Sequence, residues 1–228
     1  MKGVWLEDLT WREAKARFEA GAAVIAPVGA AAKAHGDHLP LKTDWLTARA
    51  LGQRLIERLP VVAAPVVGFG FYPAFTNFAG SQHLSEPTFK ALVGELLDGF
   101  ARHGARRVAL INTGVSTERP LDELAAGRDG VMVLHMREMG GAAQGLIEAP
   151  EGGHADEAET SVVLALEPRA VRMDRLAKAG DFAESAATGD PTRASAFKGE
   201  RLLAARVDDL VARLTAAWPD LTPSQPSP

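Results

Sequence analysis

Apolar and polar positions along this chain follow two alternating periods. LTWREAKARFEAG opens on a threonine cap at Thr10, carries charged flanks and closes at Gly21, which predicts a helix. AAVIAPVG is apolar on both faces and predicts a short buried strand. DWLTARALGQRLIERLP then predicts an amphipathic helix after Thr43, ended by Pro60, and VVAAPVVGF a second strand. From Gly68 to Ser85 the chain is aromatic and glycine-rich with no period, as a functional loop is. EPTFKALVGELLDGFARHG predicts a helix, ARRVALIN a strand, TGVSTERPLDELAAG a loop entering a short helix, and GVMVLHM another strand. AETSVVLALEPRAV reads as a helix with Thr160 or Ser161 near its cap and a stop at Pro168. Ala179 to Arg193 reads as loop, and KGERLLAARVDDLVARLTAAW as a long C-terminal helix.

Strands alternating with helices predict an α/β fold of three layers, α/β/α, around a mostly parallel sheet. No repeat or linker divides the chain, so residues 1–218 are expected to form one domain and residues 219–228, rich in Pro and Ser, a flexible tail. In such folds ligands gather at the carboxyl ends of the strands. KAHGDHLPLKTD, the aromatic segment, NTGVST and EGGHADEAETS should therefore converge.

Composition narrows the function classes. With 228 residues, 46% hydrophobic and 24% charged, the chain is an ordinary globular one, and a net charge of -4 argues against nucleic acid. No cysteine is present, which removes thiolate zinc sites and a cysteine nucleophile. The N-terminus has early acids and no apolar core of a signal peptide, and no apolar run nears the roughly 20 residues of a membrane span. A cytoplasmic protein is expected.

Imidazole and carboxylate are the usual ligands of zinc, manganese or iron in a cysteine-free protein. His35, His38 and Asp44 form one such cluster. Against it, His38 and Asp37 suit a surface turn, and Asp44 suits a cap for the helix from Trp45. His154, Asp156, Glu157 and Glu159 form a second cluster behind two glycines. Its histidine can serve as acid or base, while its acids also suit a helix start. His83 reads as structural when taken alone, and His103 and His135 receive no role. Phe69, Phe71, Tyr72, Phe75 and Phe78 suit a pocket wall, a small core or a subunit contact.

These stretches, in this order, resemble the creatininase (creatinine amidohydrolase) family over roughly residues 1–215. PVGAAAKAHGDHLPLKTD is similar to that family's P-V-G followed by E-Q-H-G-x-H-L-P-L-x-T-D. GGHADEAETS is similar to its H-A-x-x-x-E-T-S helix start, and ALINTGVST stands where its strand and N-G-H-G-G-N turn would. GFYPAFTNFAGSQHLS stands for its loop into an F-P-G-T-like turn. The resemblance implies a mostly parallel sheet flanked by helices, a homohexamer, and a two-metal site in which an activated water attacks an amide carbonyl.

Residue by residue, His35 matches a ligand histidine and Asp44 the bridging aspartate. His154 matches an acid/base histidine, and Glu159 the Glu of E-T-S. Lys33 stands where the family has a ligand Glu, Gly114 where it has the turn His, and Ser116 where it has a nearby acid. The expected site therefore has His154, Glu159 and Lys33 in catalysis and His35, Asp44 and Glu157 on the metal. Phe71, Tyr72, Phe75, His83 and Ser116 would form the substrate pocket. One divalent ion rather than two is expected, zinc before manganese or iron, or none. The expected function is a metal-dependent amidohydrolase of a small cyclic amide or formamide. The alternative is a catalytically degenerate relative that binds a small ligand or serves as an oligomeric scaffold.

Overall fold

Side chains of the second strand divide the protein into its layers. Val24, Ala26 and Val28 enter one apolar cluster with Phe18, Phe89, Val93, Leu97 and Leu121, while Ala23 and Ile25 enter another with Leu51, Leu55, Val162, Leu203 and Leu210. A strand alternates its side chains between faces, so both faces of this one must be covered. The structure, a computed structural model, describes residues 2–222. It has five parallel strands: β1 (Val4–Trp5), β2 (Val24–Val28), β3 (Val62–Ala63), β4 (Val108–Asn112) and β5 (Val131–His135), ordered β1-β3-β2-β4-β5. Helices α1 (Trp11–Glu19), α3 (Glu86–Arg102) and α4 (Glu118–Ala125) contribute to the first cluster. Helices α2 (Thr43–Arg58), α5 (Glu157–Leu166) and α7 (Ala196–Ala217) contribute to the second. This is the three-layer α/β/α arrangement expected. Among the described residues no helix is long and apolar enough to cross a membrane.

The predicted elements form with local differences. Thr10 caps α1 in a reciprocal pair with Glu13, as its sequence requires. α5 begins at Glu157 under an Asp156 cap, not under Thr160 or Ser161, because Asp156 Oδ1 accepts from the Glu159 N–H at 2.9 Å. β1 escapes a sequence pattern altogether: two residues are too few to show a period. The segment read as loop around residue 182 contains a single turn of helix, α6 (Phe182–Ser185). Of the expected tail, residues 219–222 are anchored: Leu221 is buried in the second cluster and Arg107 pairs with Asp220. The rest of that tail lies outside the described residues.

The loop between β2 and α2, residues 29–42, carries the chemistry, and main-chain bonds pin it along its length. Ala31 N–H donates to Gly68 O, Lys33 N–H to Leu41 O, Gly36 N–H to Ala186 O and Trp45 N–H to Ala30 O. His38 is buried here, with Nε2 2.8 Å from Thr160 Oγ1, tying the loop to α5. Burial lowers its pKa to about 4; nearby Asp37 opposes the shift and His35 adds to it. A histidine whose folded pKa is depressed stabilises the fold fully above its unfolded value near 6.5 and less as the pH falls toward 4. The melting temperature should therefore drop between those two pH values, and His38→Gln should shrink that drop. An unchanged pH profile of melting in the variant would count against it.

α7 packs against α5 so closely that a Cβ on Gly199 would lie 1.9 Å from Ser161 O, whereas one on Gly99 of α3 would meet nothing within 4 Å. Gly199→Ala is expected to destabilise by ~1–3 kcal/mol through overpacking. Gly99→Ala should gain up to about 1 kcal/mol through helix propensity. Denaturant melts of the two variants that fail to separate in this direction would refute this packing account.

Candidate active site

A buried carboxylate organises the site. Asp44 lies in the first turn of α2, its side chain 4% exposed, facing the loop rather than its own helix end. Its Oδ2 is 2.7 Å from Lys33 Nζ and its Oδ1 3.0 Å from His35 Nε2. Burial alone would raise the Asp44 pKa, but the Lys33 ammonium and then His35 overcome this and hold it far below the usual carboxylate range. The capping role that Asp44 could have taken is absent; no side chain caps α2.

The second half of the site comes from the turn before α5. Gly152 and Gly153 take positive φ, as does the fully buried Ala155 at 51°, a rare conformation for a residue with a side chain. This turn brings His154 over His35, with ring centroids 4.4 Å apart, and under Phe75 at 4.7 Å. Glu159, in the first turn of α5, reaches back to accept the Ala155 N–H at 2.6 Å. Its Oε2 is 3.7 Å from His154 Nδ1. Burial raises the Glu159 pKa, with His35 and Lys33 opposing and Asp44 and Asp156 assisting. Burial, with the Lys33 charge, lowers that of His154 to about 4, so its ring is neutral near pH 7.

Hydrogen bonds assign the ring faces. His35 Nδ1 is 2.8 Å from Lys33 O and His154 Nε2 is 2.8 Å from Ala34 O. A carbonyl only accepts, so both nitrogens donate, which leaves His154 Nδ1 as the lone-pair face of its ring. His35 Nε2 meets a carboxylate oxygen, and that contact is attractive only if a proton or a metal cation lies between the two atoms. An imidazole that donates its remote N–H to a backbone carbonyl is the usual orientation of a metal ligand. His35, His154 and Glu159 offer three ligand atoms that all lie within 4.8 Å of one another. Two imidazoles and a carboxylate suit zinc, manganese or iron, so the donor set fits one such ion.

Glu157, expected on the metal, lies elsewhere. Its Oε2 accepts from the Glu148 and Ala149 N–H groups and its Oε1 from Lys198 Nζ at 2.5 Å, so both oxygens are satisfied away from His35. Glu159 takes the place beside the imidazoles. The three-residue spacing of Asp156 and Glu159 suits a cap whose later acid reaches back across the first turn, but it does not tell which acid faces the imidazoles.

A narrow cleft beside Lys33 and Asp44 is lined by Phe71, Tyr72, Asn112 and Ser116, at the carboxyl ends of β2 and β4. Tyr72 is buried and its hydroxyl accepts from the Gly70 N–H at 3.0 Å. Phe75 lies under Lys33, with Nζ 5.1 Å from its ring centroid, and also packs on Phe182. His83 does not line the cleft: its Nδ1 accepts from the Tyr72 N–H at 3.0 Å, so it holds a wall residue from behind. Neither the Lys33–Asp44 pair nor the part of Phe182 was visible in the sequence. The first joins residues across a loop of unknown shape, and the second sits in a stretch read as featureless.

Comparison with known proteins identifies the family and the fold. The family model for creatinine amidohydrolase matches residues 7–214. A creatinine amidohydrolase of Pseudomonas putida is 34% identical over 117 residues, a match covering 49% of this chain and 45% of that protein. A mycofactocin precursor peptide peptidase of Mycobacterium ulcerans is 30% identical over 224 residues, covering 86% of this chain and 85% of that one. The structure of a substituted creatininase of Zn-Zn type superposes with a TM-score of 0.76 at 26% identity, over 96% of this chain and all of the other. With a family model matched over most of its length and an architecture to suit, the chain belongs to the creatininase family.

Proposed function

We propose that this protein is a metal-dependent hydrolase that cleaves the C–N bond of a small amide, cyclic or formyl, with one divalent ion at His35, His154 and Glu159. The observation that carries the reading is the pair of imidazoles whose remote nitrogens are bound by the adjacent carbonyls of Lys33 and Ala34, turning two other nitrogens toward one point. A divalent ion there supplies Lewis acidity that polarises an amide carbonyl and acidifies a water. His154 holds its Nδ1 lone pair ready, since burial keeps the ring neutral. Tyr72, whose pKa burial raises, stays a hydroxyl and can donate into the cleft to orient the substrate. The aromatic wall of Phe71 and Tyr72 limits the site to a small group or the end of a chain.

A second reading, a binder of small ligands without turnover, draws on Gly114 and Ser116. They line the cleft with no imidazole or carboxylate to hold an ion. One experiment separates the two. Protein loaded with zinc or manganese is assayed for amine release from cyclic amides and formamides. Hydrolysis should be abolished by chelation and lowered by on the order of 10³-fold in His35→Ala. Turnover that survives both treatments would overturn the metal-dependent reading. Ligand binding with no turnover would favour the binder.

The homo-oligomer implied by the family resemblance belongs to this proposal too. Trp11, Phe69 and Leu96 are 67%, 50% and 44% exposed along one apolar groove between α1 and α3, a face that a neighbouring copy would cover. A hexamer should elute in light-scattering chromatography at six times the 24.1 kDa chain mass. A monomer mass at micromolar concentration would exclude it.

A further inference from the structure

We infer that the Lys33 ammonium is a built-in cation occupying the second oxygen of Asp44, so that this site takes one metal ion per chain and never two. The inference rests on the one-ion site proposed above and says what prevents a second. Asp44 spans the two sides of the site with its two oxygens. Its Oδ1 meets His35, and its Oδ2 is filled by Nζ at 2.7 Å. Both side chains of that pair are less than a tenth exposed, so little water reaches their contact. A metal binding Oδ2 at about 2.1 Å would share that oxygen with the ammonium, within five ångströms of it and shielded by little solvent.

Charge balance points the same way. Asp44 and Glu159 are the two acids of the immediate site. Against one dication and Lys33 they leave a single positive charge, which a deprotonated water can cancel. A second dication would leave three, a state a buried site cannot hold without further acids. The wall opposite Lys33 supplies none: Gly114 and Ser116 line it, and Asn112 is committed to Gly114 and His135. Lys33 is also held from below by the face of Phe75, which favours a cation at that height. The ammonium thus does constantly what a second ion would do on occupancy. It neutralises Asp44 and presents positive charge to the cleft where a substrate carbonyl oxygen would lie.

The test is an ion count. Chelator-stripped full-length protein is titrated with zinc, and bound ions per chain are read by native mass spectrometry. The unaltered chain should saturate at one ion and His35→Ala at none. Lys33→Glu, which replaces the ammonium by a further carboxylate, should reach two. Should that variant fail to fold, Lys33→Gln should bind a second ion at least tenfold more tightly than the unaltered chain. Two ions in the unaltered chain overturn the inference and leave the hydrolase reading intact. Zero ions in the unaltered chain remove both. A folded Lys33→Glu, or Lys33→Gln in its stead, that gains nothing over the unaltered chain also overturns the inference.

Discussion

A carboxylate that has been taken out of water must find a partner for each of its oxygens, and Asp44 sets that requirement for this protein. Removing one partner from such a pair typically costs about 3–5 kcal/mol, because a bare charge stays behind. The loop from β2 to α2 is shaped to meet it: Lys33 and His35 stand on one short stretch and Asp44 at the start of the helix that follows. Pinning by the loops around Gly68 and Ala186 then determines which walls the site has. The aromatic segment and the turn of α6 are ordered against a core of Ala30, Ala34, Tyr72 and Phe75, directly beside that ion pair.

The half of the site carried by α5 obeys a different constraint, that of a helix end. Four N–H groups at an N-terminus need acceptors, and Asp156 and Glu159 supply oxygens for those near the turn. Glu159 is held in place by this local bonding as much as by anything in the cleft. Ala155, at a φ of 51°, carries the backbone cost of turning His154 inward. In Glu159, geometry for chemistry and geometry for the helix end are met by one acid.

The layered architecture could be read from the sequence because it depends on periodicity, and the strands here are apolar enough to announce themselves. Thr10 and Glu13 form the cap their spacing implies. Two ends were misplaced: the start of α5, where a local cap at Asp156 competes with Thr160 and Ser161, and the packed turn at Leu221, whose neighbours lie far away in sequence. Within the site, His35, Asp44 and His154 were legible as chemistry-bearing residues. The choice between Glu157 and Glu159 was not, since only the helix phase tells which acid faces the imidazoles and which faces Lys198. Lys33 was legible as an oddity of sequence; its distance from Asp44 belongs to the folded loop alone.

Both imidazoles are anchored by the main chain, through the carbonyls of residues 33 and 34. A peptide oxygen is the same whatever side chain its residue bears. The orientation of the two rings is therefore insulated from the identity of the side chain at position 33, although that side chain supplies the strongest charge in the site. Such an arrangement lets a lineage alter the electrostatics of its reaction centre by a single codon while leaving the aim of its ligands untouched. A change of chemistry can then precede, rather than require, a change of shape.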